Sequence, residues 1–116
     1  MIGGKPHKVQ ELELVDGSRP FASWFSKVKD PIARVKIRRA LDRIEIDGYF
    51  GDFKSLKEGI FEIRFYVGPG YRVYFGMDGA RWVILIGGGD KSTQGRDIAK
   101  AQALWALYKN EKKGVR

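Results

Sequence analysis

Polar and apolar residues alternate loosely from Val9 to Val15 and stop at Asp16-Gly17, which predicts a short first strand. The spacing then lengthens. Phe21, Trp24, Phe25 and Val28 recur at intervals of three and four, the mark of an amphipathic helix beginning at Pro20. Asp30-Pro31 restarts a helix, with aspartate as the N-cap and proline at the first helical position. Along it Ala33, Ile37, Ala40, Leu41 and Ile44 form one face, Arg34, Arg38, Arg39 and Arg43 fill much of the rest, and Gly48 stops it. The arginines read mainly as a solvated face.

Beyond a loop, period-two patterning predicts three strands over residues 60–67, 71–76 and 81–86. Gly68-Pro69-Gly70 and Met77-Asp78-Gly79 make both connections antiparallel hairpins. Ile98, Ala101, Trp105 and Tyr108 share one face of a final helix, capped by Ser92 or Thr93, and residues 110–116 form a charged, frayed tail. The expected fold is a single α+β domain spanning 1–116. Its order is strand, helix, helix, three antiparallel strands, helix, with the helices packed on one face of the sheet.

At 116 residues and 43% hydrophobic content, one domain with a real core is expected. The absence of cysteine excludes disulfides and thiolate metal sites, and His7 is the single histidine, so no metal is expected. No apolar run reaches the ~20 residues of a membrane helix, and no leader pattern follows Met1. A cytoplasmic location and no membrane contact are expected. The charge changes the picture more: 22 Lys and Arg against 14 Asp and Glu give net +8, which attracts polyanions and acidic protein surfaces.

The run VILIGGGDKST, from Val83 to Thr93, suggests a phosphate loop at first sight. Aligned on Lys91-Ser92, the two glycines of a Walker loop fall on Asp90 and Leu85, so that reading fails. The three glycines can instead let the chain leave the sheet sharply, with Lys91, Ser92 and Thr93 ahead of a helix N-terminus. Asp90 can cap that helix, pair with Lys91 or accept a proton.

In the middle hairpin Phe61, Ile63, Phe65 and Val67 point one way, and Glu62, Arg64 and Tyr66 the other. On the next strand Arg72 and Tyr74 oppose Tyr71, Val73 and Phe75. A three-residue connection, Gly68-Pro69-Gly70, sets Tyr66 opposite Arg72 and Arg64 opposite Tyr74. The two arginines and two tyrosines then share a sheet face away from the helices, with Lys91 in reach. Arginine forks suit phosphate and tyrosines suit bases. The same residues also suit any exposed sheet face, where they cover one another by cation–π contact. Arg81 reads as a solvated edge residue, His7 as inert, and Trp24, Trp82 and Trp105 as packing residues.

The segment Leu56–Tyr108 resembles the addiction-module killer proteins of the RelE/HigB toxin superfamily. The motifs that carry the resemblance are L-K-E-G-I-F-E-I-R, G-P-G-Y-R-V-Y-F and G-G-D-K-S-T-Q-G-R-D-I. The order of elements and P-F-A-S-W-F extend the likeness over nearly the whole chain. The resemblance implies a RelE-like fold and a type II toxin that enters the ribosomal A site and cuts mRNA. The RNA 2′-hydroxyl attacks the phosphate and leaves a 2′,3′-cyclic end. It further implies that Arg72 stabilises the charged transition state, that Arg64 and Lys91 are basic catalytic positions, and that no cofactor is used. Tyr66, Tyr74, Ser92 and Arg96 are then the expected RNA contacts. Where some relatives carry Tyr or His, this chain has Gln94, Gly95 and Arg96, so Glu62, Asp90 or Lys91 remain as possible general bases. The implied partners are the ribosome, mRNA and a cognate helix-turn-helix, HigA-like antitoxin. A ParE-like gyrase inhibitor without nuclease activity is the alternative on the same fold.

Overall fold

The computed structural model describes residues 4–115, and the side chains through residue 112. Strand β1 (Lys8–Glu11) leads into helix α1 (Pro20–Phe25) and helix α2 (Pro31–Asp47). Four strands follow: β2 (Phe53–Ser55), β3 (Ile60–Phe65), β4 (Tyr71–Asp78) and β5 (Trp82–Asp90). Helix α3 (Gln94–Val115) closes the chain. The result is a mixed α+β domain, as expected, around an open five-stranded sheet ordered β1-β5-β4-β3-β2. Among the described residues only the β1–β5 pair is parallel.

Local chemistry sets the helix limits. The Asp30 carboxylate accepts hydrogen bonds from the Ile32 and Ala33 amides at 2.9 and 3.4 Å, Pro31 occupies the first turn, and Gly48 closes α2 at φ 72°. Ala33, Ile37 and Ile44 turn inward and are fully buried. Arg34 is not simply solvated. It donates to the Phe25 and Val28 carbonyls at 2.6 and 3.0 Å and lies over the Phe25 ring, tying α2 to the end of α1.

Helices cover both faces of the sheet, which corrects the one-face expectation. Val73, Phe75, Val83 and Leu85 pack with Phe21, Phe25, Ile37 and Ile44 on the α1–α2 side. Tyr74, Ile84, Ile86 and Ile60 pack with Ala101 and Trp105 of α3 on the other side. The unbroken run Val83–Ile86 is what burial on two faces looks like in a sequence. Trp105 seals the second layer by lying on Gly76 and stacking on Tyr108 at 5.0 Å between centroids.

Several boundaries also differ. β1 is shorter than Val9–Val15, and β2, taken as loop, adds an edge strand. α3 continues through most of the expected tail to Val115, and Arg116 lies outside the described residues. Gly87, Gly88 and Gly89 do not leave the sheet. They pair with Tyr74, Val73 and Arg72, beyond a bulge that makes Ile86 the extra residue of β5. A β-carbon at Gly88 would meet the Trp24 ring at 2.3 Å, and one at Gly89 the Asp97 carboxylate at 1.9 Å. Gly88 and Gly89 are there for close approach, not for flexibility.

At Gly87 a β-carbon meets nothing within 4 Å, and the backbone there is ordinary. Gly88→Ala is therefore expected to destabilise the fold by about 1–3 kcal/mol through overpacking against Trp24. Gly87→Ala should stay within about 0.5 kcal/mol of the parent. Urea unfolding of the two variants checks the contrast, and equal midpoints would contradict it.

Candidate functional site

The β3–β4 hairpin sets the site. Its register is Arg64 opposite Arg72, Glu62 opposite Tyr74, and Phe65 opposite Tyr71. The expected pairs, Tyr66 with Arg72 and Arg64 with Tyr74, are thus each displaced. The physical reason is the turn: the Gly70 amide donates to the Val67 carbonyl at 3.1 Å, and a five-residue connection takes Tyr66 and Val67 out of the ladder. An odd loop length is kept, so the two arginines still share a face. That face is the one α3 covers, not one away from the helices.

Two guanidinium groups placed directly opposite one another repel. Glu62, fully buried on the same face, stands between them. Its Oε2 lies 3.3 Å from Arg72 Nη1 and 3.8 Å from Arg64 Nε, and its Oε1 accepts from Gln94 Nε2 at 2.9 Å. Arg72 is 9% exposed, whereas the Arg64 side chain is 31% exposed and reaches toward Asp52 at 3.8 Å. Tyr66, at the open end, donates its hydroxyl to Asp52, and this bond raises its pKa above the ordinary tyrosine value. The set runs inward from Tyr66 through Asp52, Arg64 and Glu62 to Arg72. Asp52 and Gln94 were not legible as members. Asp52 lies in a stretch without periodicity, and Gln94 is 32 residues from its partner.

Tyr74 was expected as an RNA platform on the surface. It is instead wholly buried, because the α3 layer packs on it. Burial first, then the charges of Glu62 and Asp97, push its phenol well above the usual tyrosine range. It stays protonated and cannot stack on a base from outside. Glu62 likewise has no open path to a substrate hydroxyl.

Asp90 ends β5 and caps the one-turn 3-10 helix Lys91–Thr93. It accepts from the Ser92 amide at 2.8 Å and the Ser92 hydroxyl at 2.5 Å. These bonds hold its carboxyl below the usual range, which makes it a poor base and a good cap. The Thr93 hydroxyl donates to Asp97 at 2.5 Å, so Thr93 braces the first turn of α3 without being its simple N-cap. Lys91, Ser92 and Arg96 are exposed. Because Gly89 pairs with Arg72, Lys91 emerges two residues beyond that pair, and its Cβ lies 3.5 Å from where one on Gly70 would be. The structure therefore brings Arg64, Arg72 and Lys91 to one end of the sheet beside the α3 N-terminus. Tyr66 flanks them and Arg96 follows on the helix.

Of the three tryptophans expected to pack, two do so and Trp82 does not. Trp24 and Trp105 pack on glycines, and Trp82 is 45% exposed at the start of β5. His7 is buried, with Nδ1 2.6 Å from the Lys5 carbonyl and its ring edge on Phe50. Arg81 is an exposed edge residue that donates to the Pro6 carbonyl at 3.3 Å. Among the described residues no helix is long and apolar enough to cross a membrane.

Residues 23–113 match the family described as "Phage derived protein Gp49-like (DUF891)". The chain belongs to that family. Gp49-like proteins are associated with toxin–antitoxin toxins of the RelE/HigB-like superfamily, which implies a cognate antitoxin as partner. An uncharacterized protein of Haemophilus influenzae is 49% identical over 84 residues, 72% of this chain and 84% of the relative.

Two outcomes test this geometry. Glu62→Ala leaves two opposed guanidinium groups without their carboxylate and is expected to cost about 3–5 kcal/mol of stability. A thermal melt unchanged from the parent would show that Glu62 does not hold the site together. Asp90→Ala should lose about 0.5–2 kcal/mol at neutral pH. Because the folded pKa of Asp90 is lowered, its contribution is present above the unfolded value of about 3.8 and vanishes as pH falls through the folded value. The gap between parent and Asp90→Ala should accordingly close below that pH. A gap that stays constant down to pH 2 would contradict the assignment.

Proposed function

We propose that this chain is a toxin that cuts mRNA on the translating ribosome and is held in check by its cognate antitoxin. The observation that carries the reading is the pairing of Arg64 with Arg72 across β3 and β4, on one face and beside Lys91, in a member of a toxin-associated family. Net +8 suits a polyanionic substrate. Arg64 and Lys91 are open enough to meet a phosphate, while Arg72 lies behind them against Glu62.

In the proposed reaction the ribose 2′-hydroxyl attacks the adjacent phosphorus. A P–O2′ bond forms, the P–O5′ bond breaks, the 2′-hydroxyl proton departs, and the 5′-oxygen is protonated as it leaves. Charge on the non-bridging oxygens grows toward the transition state, where arginine forks bind more strongly than in the ground state. With Glu62 buried, Tyr74 protonated and Asp90 serving as a cap, this chain supplies charge and position better than it supplies a base. Tyr66 offers an exposed ring to a base, and Ser92 and Arg96 stand at the helix start for neighbouring phosphates.

The test is to map transcript 5′ ends in a translation reaction with and without the protein. New ends should appear only with active ribosomes. Arg64→Ala and Lys91→Ala, both at accessible positions, should each reduce cutting by about 10²–10³-fold while circular dichroism stays unchanged. Full cutting by both variants would overturn the reading. So would growth arrest without new transcript ends but with loss of gyrase supercoiling, the outcome of the alternative on this fold.

A further inference from the structure

The molecule has a second surface of a different character at the other end of α3. Leu12, Leu14 and Val15, just past β1, face Leu104, Leu107 and Tyr108 across a groove of about 450 Å³. Val15 is 94% exposed and Leu107 is 56% exposed, although both are large and apolar. A second lobe of about 520 Å³ continues along the outer edge of β1 and shares Glu13, Tyr108 and Glu111 with the first. The walls are braced: Tyr108 donates to Asp78 at 2.7 Å and stacks on Trp105. A groove already held open costs little ordering when it is filled.

Its charge opposes that of the whole chain. The two lobes carry the carboxylates of Glu11, Glu13, Asp16 and Glu111. Among the described residues that line them the one cation, Arg19, is paired with Glu13 at 3.1 Å. In a protein of net +8, an apolar floor with an acidic rim repels RNA and favours a cationic, apolar ligand. Leu104 to Glu111 lie ten to seventeen residues beyond Gln94, or ~15–25 Å along the helix. An occupant here sits away from the arginine pair.

We infer that this groove docks an amphipathic helix of a partner protein, with leucine-like side chains in the floor and lysine or arginine against the rim. Two leucine-spaced positions on such a helix match the i, i+3 spacing of Leu104 and Leu107. The inference does not depend on the proposed RNA chemistry, because it uses none of the arginine-site residues.

The probes are two labelled peptides with leucines at helical spacing, one with lysine and one with glutamate at the remaining positions, titrated into the full chain by fluorescence anisotropy. The lysine–leucine peptide should bind and the glutamate–leucine peptide should not. Leu107→Asp should weaken binding at least about tenfold while unfolding at the parent temperature, since Leu107 is more than half exposed. The double variant Glu13→Lys/Glu111→Lys should invert the preference. Tighter binding of the acidic peptide to the parent would overturn the proposal, as would lysine–leucine binding that ignores Leu107→Asp. Sedimentation of the chain alone supplies the third arm. A dimer that Leu107→Asp dissociates would assign the groove to a second copy instead.

Discussion

One carboxylate holds the working end of this molecule together. Glu62 sits at the centre of a sheet face with an arginine on either side, and without it the cross-strand pair would set like charges against each other. A buried ion set of this kind adds little net stability over an apolar one, and breaking it is costly. What it supplies is placement. Arg72 is fixed by contact with Glu62, Arg64 is shared between Glu62 and Asp52, and Gln94 ties the carboxylate to the first residue of α3. The helix start and the strand pair therefore hold one geometry.

Much of the architecture is legible in the chain because short-range rules determine it. The Asp30-Pro31 start, the Gly48 stop and the Pro20 helix each depend on a few neighbouring residues, and each stands where the pattern puts it. Alternation likewise places Arg64 and Arg72 on one face. Parity survives any odd loop, so the two arginines share a face although their partners differ and α3 covers that face. The register itself depends on the Gly70–Val67 hydrogen bond, which no periodicity announces.

The second helical layer was harder to read. Alternation in β4 marks Val73 and Phe75 as core, and Tyr74 looks polar enough for water until Ile84, Ile86 and Trp105 are seen to bury it. The continuous Val83–Ile86 run and Gly76 are the two signals that could have revealed it. Gly76 is glycine because an indole lies on it. Glu62 was nameable as chemistry but not as a counter-ion, since that role depends on residues from three elements.

The glycines of β5 also limit which substitutions this chain can absorb. Asp97 rests where a side chain at position 89 would have to go, and the same turn of α3 presents Gln94 to Glu62. Enlarging residue 89 would lift that turn off the strand and draw the amide away from the carboxylate. The spacing between strand and helix is thus set from both sides, and a larger residue at 89 calls for a smaller one at 97.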